Sequence, residues 1–302
     1  SSDLVSYLPA GTGAVATTVQ TKLRESVSVK DFGAVGDGVA DDTAAIQATL
    51  DSGANEVFVP EGTYIHNSLT MSVSATKLSL SKNAILKLKA SSTGAQITIS
   101  ATDCAITGGE LNGNRANNTT KRAVNVTSGG SGALVRGVKI RSVSGEGLYA
   151  TDADRVTFEN NYITDTFYTG IATLGLSRSY TDLKVINNNV DRTGENDSTG
   201  VLGGIQVYGA SSYKAKGIII VNNYIIMNRN GVLATPFVAI ETKNTEDLVI
   251  DGNVTINSYM GISATKGFNT VISNNSSTNA NFAGIESANN TGNISISGNA
   301  ID

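Results

Sequence analysis

The chain has 302 residues, 40% of them hydrophobic, with 32 glycines, three prolines and no tryptophan, which suits one elongated domain with an ample aliphatic core. A formal net charge of -4 argues against nucleic acid or an anionic membrane as partner, and no apolar run reaches the length of a membrane-spanning helix. The single cysteine, Cys104, excludes a disulfide framework and reads as a buried structural thiol.

Residues 1–28 read as a leader or linker, and residues 29–56 as a cap. Within VSVKDFGAVGDGVADDTAAIQATLDSG (27–53), a Gly-rich turn precedes an expected helix from Thr43 to Leu50, with Asp41 or Asp42 as its N-cap. Ala45, Ile46, Thr49 and Leu50 form its apolar face, and a short amphipathic helix here would plug the open first coil of a solenoid. Gly36, Asp37 and Gly38 read as a turn, since their spacing is too short for an EF-hand, and no metal or cofactor is called for. His66, the single histidine, reads as a packed or solvated residue beside the plug.

From residue 57 onward the chain repeats. An apolar alternation closing on Asn recurs as VTFENNYI (156–163), LKVINNNV (183–190), IIIVNNYI (218–225), LVIDGNVT (248–255), TVISNNSS (270–277) and ISISGNAI (294–301). Phe158, Val185, Ile220, Ile250, Ile272 and Ile296 fall in one column, and Asn161, Asn188, Asn223, Asn253, Asn275 and Asn299 in another. The Asn steps of 27, 35, 30, 22 and 24 residues mean that strands stay constant while loops take the insertions. Weaker copies at VRGVKI (135–140), ITGGEL (106–111), LSKNAI (80–85) and VPEGTY (59–64) bring the total to ten coils. Period-two alternation of β-branched residues indicates strands, and strands that stack on their equivalents give an all-β parallel β-helix over 57–302. Stacked Asn at a bend can bond amide to amide while tolerating left-handed backbone angles, so this column reads as architecture.

A second strand family starts with Gly-aliphatic pairs: GLYAT at 147, GIATL at 170, GIQVY at 204, AIETK at 239, GISAT at 261 and GIESA at 284. If Ile171, Ile205, Ile240, Ile262 and Ile285 point inward, one outward column reads Tyr149, Ala172, Gln206, Glu241, Ser263 and Glu286. The next reads Thr151, Leu174, Tyr208, Lys243, Thr265 and Ala288. The longest inserts, 174–182, 191–203, 209–217 and 227–237, flank the strands starting at 170, 204 and 239, where they would wall a groove.

DFGAVGDGVADDTAAIQATL followed by VFVPEGTY (57–64) resembles the opening of the pectate-lyase-like superfamily of right-handed parallel β-helices, which includes polygalacturonases, alginate epimerases and lyases, and phage tailspikes. The preceding YLPAGTGAVATTVQTKLRESVSVKDFGAVGDG (7–38) is similar to phage tail proteins, in which a short leader joins a virion-attachment region to a depolymerase β-helix. ITGGELNGNRANNT (106–119) and residues 145–166 are similar to coils of mannuronan epimerases, yet where those carry an Asp-Pro-His-Glu run this chain has Tyr149, Ala150, Thr151 and Asp152, which argues against epimerisation.

The resemblance implies a tailspike-type depolymerase, acting from the virion on a capsule or O-antigen polysaccharide at the bacterial surface, more readily by hydrolysis than by elimination. A homotrimer and contact with virion tail proteins through a preceding region come with it, whereas nucleic acid and membrane insertion do not. The chain ends within the tenth bend with no capping segment, so a fragment, or a cap supplied by a partner, is expected. Glu241 and Glu286 are the first candidate catalytic carboxylates, two rungs or about 9.6 Å apart at ~4.8 Å per rung, at the edge of the 6.5–9.5 Å window of inverting glycosidases. Glu195 and Asp197 are the alternative acids, and Tyr149, Gln206, Tyr208, Lys243 and Arg192 the substrate-binding set. A lyase could draw on Tyr208, Lys243 and Arg192, and a non-catalytic receptor-binding fibre would use the same groove as a lectin.

Overall fold

The computed structural model describes residues 5–193, 203–227 and 237–302. Three parallel ladders wind around one aliphatic core in about ten turns. The first passes through Glu56–Val59, Lys77–Leu80, Ala105–Thr107, Leu134–Arg136, Thr157–Glu159, Lys184–Ile186, Ala215–Val221, Thr245–Asp251, Phe268–Ser273 and Thr291–Ser297. The second starts at Asp37–Asp41, which pairs beneath Gly62–His66, and the third at Leu69–Met71. The long strands Val254–Thr265 and Ser276–Ala288 run through the corner between these two ladders and join them into one sheet.

The register makes the core. Phe158, Val185, Ile220, Ile250 and Ile272 pair rung on rung and are fully buried, with Leu148, Ile171, Ile205, Ile240 and Ile262 doing the same in the third ladder. Each such side chain removed from water stabilises by roughly 1.5–3 kcal/mol, so a column of mainly β-branched residues holds neighbouring turns at one spacing.

The bend between the first and second ladders divides its work between two residues. The ladder asparagines Asn161, Asn188, Asn223, Asn253 and Asn275 are buried. Asn188 shows the bonding: its Nδ2 donates to Asn223 Oδ1 at 3.0 Å and to the Phe158 carbonyl at 2.9 Å, and its Oδ1 accepts the backbone N–H and Nδ2 of Asn161, each at 3.0 Å. The amide is therefore satisfied at every donor and at both lone pairs. The left-handed angle belongs instead to the preceding residue, Asn160, Asn187, Asn222, Gly252, Asn274 or Gly298, with φ between 53° and 66°. The expectation that the ladder Asn itself takes that angle is thus corrected, and the Asn-Asn or Gly-Asn pair is explained.

Two further corrections concern the first turns. Val57 and Leu78, rather than Val59 and Leu80, pair with the Ile106 column, because these turns carry longer bends before their second strand. Ser26–Ser28 already forms a rung beneath Glu56–Val59, so the first ladder begins inside the stretch assigned to the leader.

The helix Thr43–Leu50 packs Ile46, Thr49 and Leu50 into the core. Asp41 accepts from the Thr43 N–H at 3.1 Å, while the buried Asp42 carboxylate accepts from Val35 N at 2.6 Å and Gly36 N at 3.1 Å, tying the Gly-rich turn to the helix. His66 is buried, with Nδ1 2.5 Å from the Asn67 carbonyl and Nε2 3.2 Å from Gln96 Nε2. Burial pushes its pKa down to about 4 despite that carbonyl, so it packs as a neutral ring at physiological pH.

Candidate functional site

The outward columns of the third ladder have the register expected of them. Tyr149, Ala172, Gln206, Glu241, Ser263 and Glu286 pair in succession, and so do Thr151, Leu174, Tyr208, Lys243, Thr265 and Ala288. Outward orientation does not mean exposure, however, because rungs ~4.8 Å apart let long side chains roof their neighbours. Tyr149 is 5% exposed, with the Arg122 guanidinium 3.6 Å from its ring centroid, so that ring face is already occupied. Gln206 is 7% exposed, its Oε1 accepting from Thr169 Oγ1 at 2.6 Å. Neither offers the open surface expected of a substrate-binding residue.

Glu241 is the centre of a polar cluster. Its Oε2 accepts a short hydrogen bond from the Tyr208 hydroxyl and another from Gln206 Nε2 at 3.2 Å, and Gln206 Nε2 also lies 3.2 Å from the Tyr208 oxygen. Burial, with the adjoining Glu241 carboxylate, raises the Tyr208 pKa far above the ordinary phenol value, so Tyr208 stays protonated as a donor. Glu241, Tyr208, Lys243, Leu174, Leu176 and Ser211 line a depression of about 510 Å³. Lys243 is exposed at its rim.

Glu286 sits two rungs from Glu241, half-buried, and its Oε2 accepts from Ser263 Oγ at 2.7 Å. It does not line that depression. Glu195 and Asp197 lie outside the described residues, as do most of the inserts 191–203 and 227–237. Arg192 falls within the strand Asn189–Thr193, but only its backbone is described.

The described walls of the depression are the other two inserts, and one is held by a residue that residue-type reasoning passed over. Asp152, 6% exposed, accepts from Leu176 N at 2.8 Å, Ser177 N at 3.2 Å, Ser177 Oγ at 2.6 Å and Arg178 N at 3.4 Å. Burial alone would raise its pKa, but the bonds from Ser177, Leu176 and Arg178 together hold it below the ordinary carboxylate value. Asp154 continues the anchor, accepting from Thr181 N at 2.8 Å and from Arg178 Nη2 at 2.8 Å. The D-x-D spacing at 152–154 was the available signal, since two carboxylates just after a strand face the insert of the following turn.

The model of the rhamnogalacturonase A/epimerase, pectate lyase-like family matches residues 26–302, from the first rung onward. The chain belongs to this family. Among solved structures, this pectate-lyase-like β-helix is similar to the ORF18 protein of Geobacillus virus E2, with TM-score 0.71 and 15% identity over 99% of this chain and 68% of that one. It is also similar to a family 28 exopolygalacturonase of Yersinia enterocolitica, with TM-score 0.69 and 18% identity over 96% and 67% of the two chains. The Dettilon tailspike protein follows with TM-score 0.64 and 16% identity over 94% and 63%. At such identities the likeness is one of fold. In sequence, plasmin and fibronectin-binding protein A of Streptococcus pneumoniae is 42% identical over 66 residues, 20% of this chain and 9% of that protein. A mannuronan C5-epimerase of Azotobacter vinelandii is 58% identical over 41 residues, 12% and 4% of the two. The matched stretches thus span less than a tenth of these relatives.

Proposed function

We propose that this pectate-lyase-like chain is the polysaccharide-cleaving β-helix of a phage tailspike, acting from the virion on a capsule or O-antigen chain at the bacterial surface. The family, and a fold shared with tailspike and exopolygalacturonase structures, support a polysaccharide as ligand. A leader that ties the β-helix to virion tail proteins, and a homotrimeric assembly, belong to the same reading.

The observation that carries the chemistry is the bonding of Tyr208 and Gln206 to Glu241, with Tyr208 and Glu241 lining a depression beside the inserts. Glu241, held by two donors, is oriented to take a proton from an attacking water, and Glu286 two rungs away is the candidate acid for the leaving oxygen. Hydrolysis is favoured over elimination because Tyr208, the nearest base for abstracting a proton, is held as a phenol. Incubating the protein with purified polysaccharide from a susceptible host, followed by mass spectrometry, tests this. New reducing ends without an unsaturated uronate chromophore are expected. Unsaturated products would replace hydrolysis by elimination, and intact polymer that stays bound would favour a lectin-like fibre.

A further inference from the structure

A second polar site lies at the corner between the second and third ladders, well away from Glu241. Residues 113–122 connect Glu110–Asn112 to Val124–Val126, and Ala116 lines two depressions there. One, of about 460 Å³, is lined by Lys87, Asn112, Arg115, Ser142 and Asp165. The other, of about 570 Å³, is lined by Ser92, Asn117, Asn118, Thr119 and Lys121.

This corner is built rather than incidental. Asn118 Oδ1 accepts from Ser92 N at 2.9 Å and its Nδ2 donates to the Lys89 carbonyl at 3.1 Å, while Asn114, at φ 48°, donates to the Leu88 carbonyl at 3.0 Å. The one carboxylate in the first depression, Asp165, is already engaged by Arg115 Nη1 at 2.6 Å and Ser142 Oγ at 2.9 Å. Arg115 is fixed in turn over the Phe167 ring, 5.3 Å from its centroid. Lys87 and Lys121 are half-buried, each lines one of the two depressions, and neither has an ion pair among the described residues. In a chain of net charge -4, two cationic side chains set among fixed amides and hydroxyls, with the local acid neutralised, make a surface complementary to an anion that also hydrogen-bonds.

Four rungs of the third ladder separate Asn125, next to this corner, from Glu241, through Tyr149, Ala172 and Gln206. That is about 19 Å at ~4.8 Å per rung, a span that one extended sugar chain lying along the axis would cover. We propose that the 113–122 corner is a second binding site for acid-bearing sugar residues of the polysaccharide, gripping the chain at a distance from the bond that is cleaved. This rests on the reading of the protein as polysaccharide-binding, and goes beyond it in assigning both a site and the charge of the ligand.

The test uses tetramers of galacturonate, mannuronate and guluronate, with neutral maltotetraose as control, titrated calorimetrically against the full chain and against the Lys87→Ala/Lys121→Ala double variant. At least one uronate tetramer should bind while maltotetraose does not, more weakly at high salt, and binding should fall tenfold or more in the double variant with its circular dichroism unchanged. If no uronate binds, if the neutral sugar binds equally, or if the double variant binds as well as the wild type, the site is refuted. Loss of turnover in Glu241→Gln beside a null result here would overturn the corner site alone, and uronate binding with unimpaired turnover in Glu241→Gln would overturn the catalytic assignment alone.

Discussion

The Asn bend and the outer face of the third ladder are built from the same device, polar side chains stacked in register, and they differ in which side of the sheet they occupy. In the bend, Asn161 through Asn275 are buried and bond to one another, to backbone carbonyls and to backbone N–H groups, away from solvent. On the outer face, Gln206, Tyr208 and Glu241 bond to one another across a single rung, and Tyr208 and Glu241 still border an open depression. A closed ladder has no donor or acceptor left for a ligand, whereas an interrupted one does. This contrast separates architecture from chemistry better than residue type does, since both regions are rich in amides.

Breaking the open cluster should have the largest effect. Glu241→Gln keeps shape and hydrogen bonding but removes the titratable group, so depolymerase turnover should fall by roughly 100-fold or more with thermal stability unchanged. Full activity in that variant would move the site to Glu195, Asp197 or a subunit interface.

Breaking the closed ladder should do the reverse. Asn188→Ala removes an amide that bonds Asn161, Asn223 and the Phe158 carbonyl, leaving buried partners unsatisfied. A loss of about 1–3 kcal/mol in denaturant unfolding is expected, with the rate per folded molecule preserved. A variant as stable as the wild type would show that the ladder does not contribute as its geometry implies.

Asp152 lies between these extremes, a structural carboxylate that shapes the site. Asp152→Ala should release the 175–178 wall and raise KM more than it lowers kcat, with global unfolding little affected. Its folded-state pKa lies below the unfolded value, so its stabilising contribution is complete above the unfolded value of about 3.9 and is lost as pH falls through the lower folded value. Limited proteolysis at the 175–178 segment should therefore accelerate in the wild type only below about pH 4. His66 has its folded pKa depressed as well, so its contribution begins to fall below about pH 6.5 and continues to fall toward about 4. Global unfolding should follow His66 over that range, while loop release follows Asp152 at the more acid end.

The smallest effect is expected one residue from the ladder. Asn187 supplies only the left-handed angle, φ 55°, so Asn187→Gly should change stability by a few tenths of a kcal/mol, whereas Asn187→Val should cost about 1–2 kcal/mol. Equal losses at Asn187 and Asn188 would contradict the division of work between them.

Much of this was legible in the chain itself, and for a physical reason. A parallel β-helix repeats the same local problem every turn, so the Phe158–Ile296 column, the Asn column and the Gly-aliphatic strands each declare themselves by recurrence. Period-two alternation then fixes which residues face outward, which is why the Glu241 column could be written down rung by rung. Legibility failed where recurrence failed. The first turns have longer bends, so the recurrence points to Val59 and Leu80 where Val57 and Leu78 hold the column, and Ser26–Ser28, which carries no copy of the repeat, nonetheless forms a rung.

What sequence alone determined was therefore the one-dimensional order: a β-solenoid, its strands and bends, and the face on which Glu241, Tyr208 and Lys243 stand. What only the tertiary structure decided was which outward side chains are still available. Arg122 reaches Tyr149 from the preceding rung, Thr169 reaches Gln206 from the insert before its neighbour, and Asp152 reaches across one rung to hold the 175–178 wall. These contacts join residues 24 to 37 positions apart, through the few ångströms between stacked rungs, and side-chain length and loop path set them rather than any local pattern.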